Sequence, residues 1–290
     1  MKPIKTIARW SGLALLANVA LVTGALRAQG VSYDISSTLT GTDATTGKAS
    51  TTEVMSAHAQ FAGGDARADI TRSSAIAGFM SPGTYTITSA SKNTSTMVNP
   101  AKRQYTLVKL GEVGAAADGA QSSMAGLAKE EMTDVKVTVQ DLGPGEVIAG
   151  YSTHKYRLSE SSIMKLTTLG HSIDTPSRST TDIWVATALD ASMDPGSHPG
   201  VGIPTGMTAE LTRQLNAAYA RIGKGLWIKR ITTEADDDAS GGTTMTTLIT
   251  NVKRAVVSPS VFEVPAGYKK VTFMEALQAS DPDAQQGRPE

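Results

Sequence analysis

Apolar and polar residues alternate one for one over most of this chain, the period of a pleated strand with one face buried. In 134–140, Val135, Val137 and Val139 point one way while Lys136, Thr138 and Gln140 point the other. Comparable runs cover 31–42, 51–61, 66–72, 84–91, 104–110, 147–158, 164–169, 182–188, 226–234, 243–257 and 261–264. Thr, Val and Ile recur in them, and these β-branched side chains fit a pleated surface better than a helix. Clusters of Gly, Pro, Asn and Asp separate the runs. The pattern predicts about ten strands in an antiparallel meander.

Three segments carry a helical signal. In 210–222, Leu211, Leu215, Ala218 and Ile222 form one apolar stripe, with Thr208 placed to cap its start and Gly223 to end it. Thr272 and Glu275 make a capping box ahead of Ala276 and Leu277, which predicts a short final helix. The third, 121–132, is weaker: a small helix or an Ala/Gly-rich crossover. The Gly/Ala-rich stretch 111–119 and the Gly- and Pro-dense stretch 190–206 read as excursions from a single sheet. Residues 280–290 read as a disordered tail.

The first 28 residues break the pattern. Lys2, Lys5 and Arg9 precede an apolar stretch, 10–26, that runs into Ala28, Gln29 and Gly30. That is the order of a secretory signal peptide, cleaved after Ala28 or Gly30. Ser11, Gly12, Asn18, Thr23 and Gly24 interrupt the stretch, against a spanning helix of about 20 apolar residues. The expected organisation is a signal peptide at 1–28, one β-rich domain at 31–279 and the tail. The chain has no Cys, so an acylated N-terminal cysteine, thiol catalysis and thiolate metal sites are excluded. The expected location is periplasmic or secreted, with membrane contact transient at most. Removing Lys2, Lys5, Arg9 and Arg27 turns 27 basic against 27 acidic residues into 23 against 27, a net charge of −4. A mildly acidic chain lacks the basic footprint that nucleic acid needs.

No motif in the body carries chemistry. The stretch 41–49 (GTDATTGKA) imitates a phosphate loop, but its glycines are six apart and Ala49 replaces the required hydroxyl; a hairpin turn is expected. Ser162 and Lys165 match Ser-x-x-Lys, yet they lie in a strand-like run that turns them to opposite faces. Asp236, Asp237 and Asp238 lack calcium-loop spacing and read as a solvated hairpin tip. His58, His154, His171 and His198 offer no helical zinc pair. Ser152, His154 and Asp182 assemble into a triad only on paper, without a nucleophile elbow, and His154 reads as a half-buried, hydrogen-bonded histidine. No catalytic, cofactor or metal residue is assigned, and no cofactor is expected. Trp184 and Trp227 lie in two strand runs, with Met164 and Met245 in others. With Leu211 and Leu215 of the helix they are the candidates to line an apolar cavity, although ordinary core packing, common for Met and Trp, is the favoured explanation.

Three stretches carry a resemblance: 93–110 (NTSTMVNPAKRQYTLVKL), 149–158 (AGYSTHKYRL) leading to 182–186 (DIWVA), and 261–268 (VFEVPAGY). Their order over 31–271 resembles an uncharacterised family of exported bacterial proteins, the domain of unknown function 4412. It is more distantly similar to carriers and receptors of the LolA/LolB lipoprotein-localisation type. The resemblance implies a mainly β fold, a curved antiparallel sheet or open half-barrel with one or two helices across its concave face. It also implies a hollow for acyl chains or other apolar ligands, with no ligand-contacting residue transferable. The leading expectation is a non-enzymatic protein that binds a lipid or other apolar molecule. The rivals are an interaction module with an envelope protein as partner, and a hydrolase using His154.

Overall fold

The computed structural model describes residues 29–42, 48–74, 81–89, 91–109, 128–168, 171–189, 209–235, 242–272 and 275–276. The expected signal peptide at 1–28, the stretches 111–119 and 190–206, residues 121–127, Thr208, Asp236 to Asp238 and residues 280–290 lie outside them. Among the described residues, twelve strands form one open, curved sheet. They are β1 (Gln29–Thr42), β2 (Ala49–Ala62), β3 (Asp65–Ser73), β4 (Tyr85–Ser89), β5 (Thr94–Asn99), β6 (Gln104–Lys109), β7 (Ala128–Pro144), β8 (His154–Thr168), β9 (His171–Ala186), β10 (Leu226–Ala235), β11 (Thr243–Val256) and β12 (Lys269–Lys270). One helix, α1 (Ala209–Tyr219), lies between β9 and β10.

The sheet order is β12-β6-β5-β4-β3-β2-β1-β11-β10-β9-β8-β7. Two meanders, β1 to β6 and β7 to β11, are joined where β1 pairs with β11; every pairing is antiparallel except that of β12 with β6. The mainly β antiparallel meander expected from the alternation is observed, and the sheet is open and curved, as the resemblance implies. It has longer strands than the local signal gave: 164–168 is the end of β8, and 182–188 is mostly the end of β9.

Three expected elements take other forms. Residues 128–132 belong to β7 rather than a helix, because Ala128 to Met132 pair with Thr168 to Met164 of β8. Long-range pairing there overrides an Ala-rich local preference. The run 147–158 becomes strand only from His154. Before it, Ala149 and Gly150, both at positive φ (49° and 85°), form a tight turn closed by mutual Ile148 and Tyr151 backbone hydrogen bonds of 3.0 and 2.9 Å. In place of a strand at 261–264 there is a single 3-10 turn, Pro259–Phe262. Pro259 suits the first position of a helical turn, and the Val261 N–H donates to Ser258 O at 3.0 Å. The Thr272–Glu275 capping box forms as expected: the Glu275 N–H donates to Thr272 Oγ1 at 3.2 Å and the Thr272 N–H to Glu275 Oε2 at 2.7 Å.

Register decides which residues share a face. Tyr33, Ala59, Ala68, Thr86, Met97 and Thr106 stand opposite one another across β1 to β6. Ile249, Ile35, Ala57 and Ile70 make the neighbouring row, and Tyr156, Ile183, Arg230, Thr247, Ser37 and Met55 continue the same face toward β8. Tyr33, Ile35, Ala57, Ala59, Ala68 and Ile70 are all buried. This is the inner face, the one that carries α1. On the outer face Tyr85, Ile87, Val98 and Tyr105 are covered by Val257, Val261, Phe262 and Tyr268. Arg67 fixes that cover, with its guanidinium 3.7 Å from the Tyr85 ring centroid and Nη1 donating to Val261 O at 3.3 Å. At Trp227 to Lys229 a bulge breaks the alternation of β10, so Leu226, Trp227 and Ile228 are all buried and core contacts run through the sheet.

Candidate functional site

The helix sits where its sequence requires. Its stripe of Leu211, Leu215 and Ala218, continued by Ile222, packs on Tyr156, Leu158, Ile183, Val185 and Trp227, with Val135, Val137 and Val139 of β7 alongside. Tyr219 meets Trp227 edge to face at 5.4 Å. Apolar burial alone fixes the face but not the position along β7. That is set by Gln214, whose Oε1 accepts the Val137 N–H and whose Nε2 donates to Val135 O, both at 2.9 Å. The amide makes the two bonds a neighbouring strand would make, on the last strand of the sheet. Nε2 also meets Glu210 Oε1 at 2.7 Å, and the Arg213 guanidinium, followed by Gln214, holds the Glu210 carboxyl down to about 2.

Gln214 was not legible in the sequence, because nothing in a helix shows which strand edge it will meet. Gln214→Ala is expected to destabilise the fold by about 1–3 kcal/mol, the range for leaving polar groups unsatisfied. Urea unfolding checks it, and an unchanged midpoint would mean that water replaces the amide without loss.

Five of the six cavity candidates share the inner face. Leu211 and Leu215 lie on the underside of α1, and Trp227 lies beneath them. Met164 stands opposite Met132 and Thr175, in the alternation of Tyr156 and Leu158. Met245 is opposite Leu39 and Thr232 on the central strands. Trp184 stands apart, on the outer face between Lys155 and Lys229, whose Nζ atoms lie 4.4 and 4.6 Å from its ring centroid.

The inner face changes character along the sheet. Beyond Ala68 its buried residues become hydroxyls, with Thr86, Thr88, Ser95 and Thr106 each less than a tenth exposed. A hollow of about 50 Å³ lies there, against Ile70, Thr86, Met97 and Thr106, and bounded by Val271 and Ala276. Toward the other end, Glu160 is partly buried on the same face, and Ser179 stands opposite both it and Glu234. Burial, and then the Glu234 carboxylate, push the Glu160 carboxyl above its ordinary value of 4.5. A carboxyl whose folded pKa is raised opposes folding once it ionises. Glu160→Gln is therefore expected to raise the melting temperature at pH 7, with the gain vanishing as pH falls below about 4.5. Melts at both pH values check this, and a gain at both would assign the effect to something other than charge.

The remaining polar candidates lie apart from one another. His154 is bonded to Asp141, Nε2 to Oδ1 at 2.5 Å. Asp182 lies on the outer face with Lys155 and Arg157 at 2.7 and 2.6 Å, so it and His154 do not meet. Ser162 is buried, and Lys165 is turned to the other side of β8. β1 and β2 pair antiparallel up to Thr42 opposite Ala49, and residues 43–47, where the hairpin turn is expected, lie outside the described residues. Among the described residues no group of three or more His, Asp or Glu is placed to hold a metal, and no helix is long and apolar enough to cross a membrane.

No curated protein matches the chain. Residues 47–268, well over half of its length and everything from the β1–β2 connection to the segment before β12, match the family model described as Domain of unknown function (DUF4412), and the chain belongs to that family.

Proposed function

We propose that this is an exported binding protein that holds the acyl chain of a lipid, or another apolar molecule, between α1 and the inner face. The observation that carries the reading is the docking of α1. One apolar stripe lies on one end of an open, curved sheet, and the rows of the same face continue well past it. Parting helix from sheet lines a slot with Leu211, Leu215, Trp227 and Met164. Each methylene moved from water into such a slot contributes about 0.8 kcal/mol, so a medium-length chain suffices for micromolar affinity after the losses of association. The likeness to LolA/LolB-type carriers belongs to this reading, as do the leader peptide and a location in the periplasm or outside the cell. The protein acts by binding rather than by catalysis.

Titration of the purified chain with a fluorescent fatty acid tests the proposal, alongside mass spectrometry of lipids extracted from freshly purified protein. Saturable binding that weakens in Leu215→Ala is expected. Absence of binding, with no lipid extracted, would overturn it and leave the envelope interaction module as the better reading.

A further inference from the structure

We propose that Glu160 is the polar anchor of the slot beneath α1, and that the slot takes apolar molecules carrying an ammonium group. This rests on the binding reading above and names the class of ligand within it. The position of Glu160 follows from where the helix lies. A Cβ at Gly223, just past α1, would stand 2.5 Å from the Tyr156 hydroxyl oxygen. Leu211 and Leu215 share one cluster with Leu158 and Val137, and Gln214 is bonded to Val135 O and to the Val137 N–H. The helix therefore runs along β7 and β8 from Tyr156 past Leu158. The next inner-face residue of β8 is Glu160, directly opposite Val137. Same-face neighbours along a strand stand about 7 Å apart and directly paired residues about 5 Å. A chain lying on the stripe thus meets this carboxyl without leaving the ground that α1 covers.

Within the protein this carboxylate has no partner. Burial and the Glu234 carboxylate, which faces it across Ser179, both act against its charge, and no donor or cation among the described residues acts for it. Arg230, a cation on the inner face of β10, lies over the Trp227 ring instead, 5.9 Å from its centroid. Charges withdrawn from water are normally paired, because an isolated charge beside apolar groups is strongly unfavourable. The gain in melting temperature expected of Glu160→Gln has this origin. An acid that opposes folding in the middle of an apolar stripe fits a group whose partner comes from outside the chain. The sign of that partner follows from the two carboxylates. An ammonium group is attracted by both and donates to Glu160, with the Ser179 hydroxyl as a further acceptor on the same row, whereas a carboxylate or phosphate head is repelled. A fatty acid still binds through its chain, less tightly than the amine of equal length.

The experiment compares dodecylamine, dodecanol, dodecanoate and ethylamine by calorimetric titration of the full chain and of Glu160→Gln. It is run at about pH 7, where an alkyl amine is charged as a lysine is. Glu160→Gln removes an unpaired charge and keeps the shape of the side chain, so the variant folds at least as well, which a thermal melt verifies. The expected result is that the wild type binds dodecylamine about tenfold tighter than dodecanol, and dodecanol tighter than dodecanoate. In Glu160→Gln the ratio of amine to alcohol falls to about threefold or less, the remainder coming from Glu234. Equal affinity of the three dodecyl compounds for the wild type would overturn the anchor and leave the apolar reading standing. An amine preference that Glu160→Gln leaves intact would place the ammonium group elsewhere and overturn the assignment. Ethylamine binding as tightly as dodecylamine, and lost in Glu160→Gln, would keep the anchor and overturn the apolar reading. Binding of none of the four would overturn both.

Discussion

Trp227→Ala is expected to lower stability by about 3–5 kcal/mol, the range for truncating a buried aromatic. In a domain of this size that corresponds to a fall in melting temperature of roughly 10 °C. Trp227 is 7% exposed, stands opposite Val185, meets Tyr219 edge to face and lies under the stripe of α1. Its removal takes away the largest surface on which the helix docks. The same variant distinguishes a filled core from a binding slot. A full loss of stability with fatty-acid binding unchanged would make Trp227 core alone. A loss below about 1 kcal/mol accompanied by weakened binding would make it a wall that a ligand covers. Thermal melts with and without the fluorescent fatty acid give both readings.

Gly225→Ala is expected to be as damaging, by about 2–5 kcal/mol, for a reason that involves no cavity. Gly225 enters β10 with φ of +151°, which side-chain-bearing residues rarely adopt. A Cβ there would lie 2.7 Å from Ala186 O and 2.7 Å from Val185 Cγ1. Backbone strain and overpacking therefore act together, and the β9 carbonyl cannot move without loosening the pairing of Leu226 with Ala186. Gly150→Ala is the control. Its φ is +85° but nothing lies within 4 Å of the added carbon, so strain alone should cost about 1 kcal/mol. Equal losses in the two variants, measured by urea unfolding, would mean that the close approach to β9 relaxes freely.

Part of the candidate site is legible in the helical stripe, and particular residues mark where that legibility stops. The Leu211, Leu215, Ala218 and Ile222 spacing names the buried side of the helix, since a period near 3.6 has one way to bury its apolar members. Gln214 does not stand out, because its role depends on the free edge of β7. The hydroxyl row of Thr86 and Thr106 is equally hidden. Thr in a strand reads as a β-former, and only the pairing register shows that these two are buried on a shared row.

The sequence by itself determined that this chain forms strands, where most of them lie, which residues within each strand share a face, and that Thr272 and Glu275 cap a turn. These are local consequences of period, propensity and hydrogen-bonding range. The tertiary structure alone decided that β11 lies beside β1, that 128–132 extends as strand, and that Trp184 and Trp227 fall on opposite faces of adjacent strands. Alternation fixes relative orientation inside one strand and says nothing about its neighbour. That relation is set by pairing register, and in β10 by one bulge between Trp227 and Lys229.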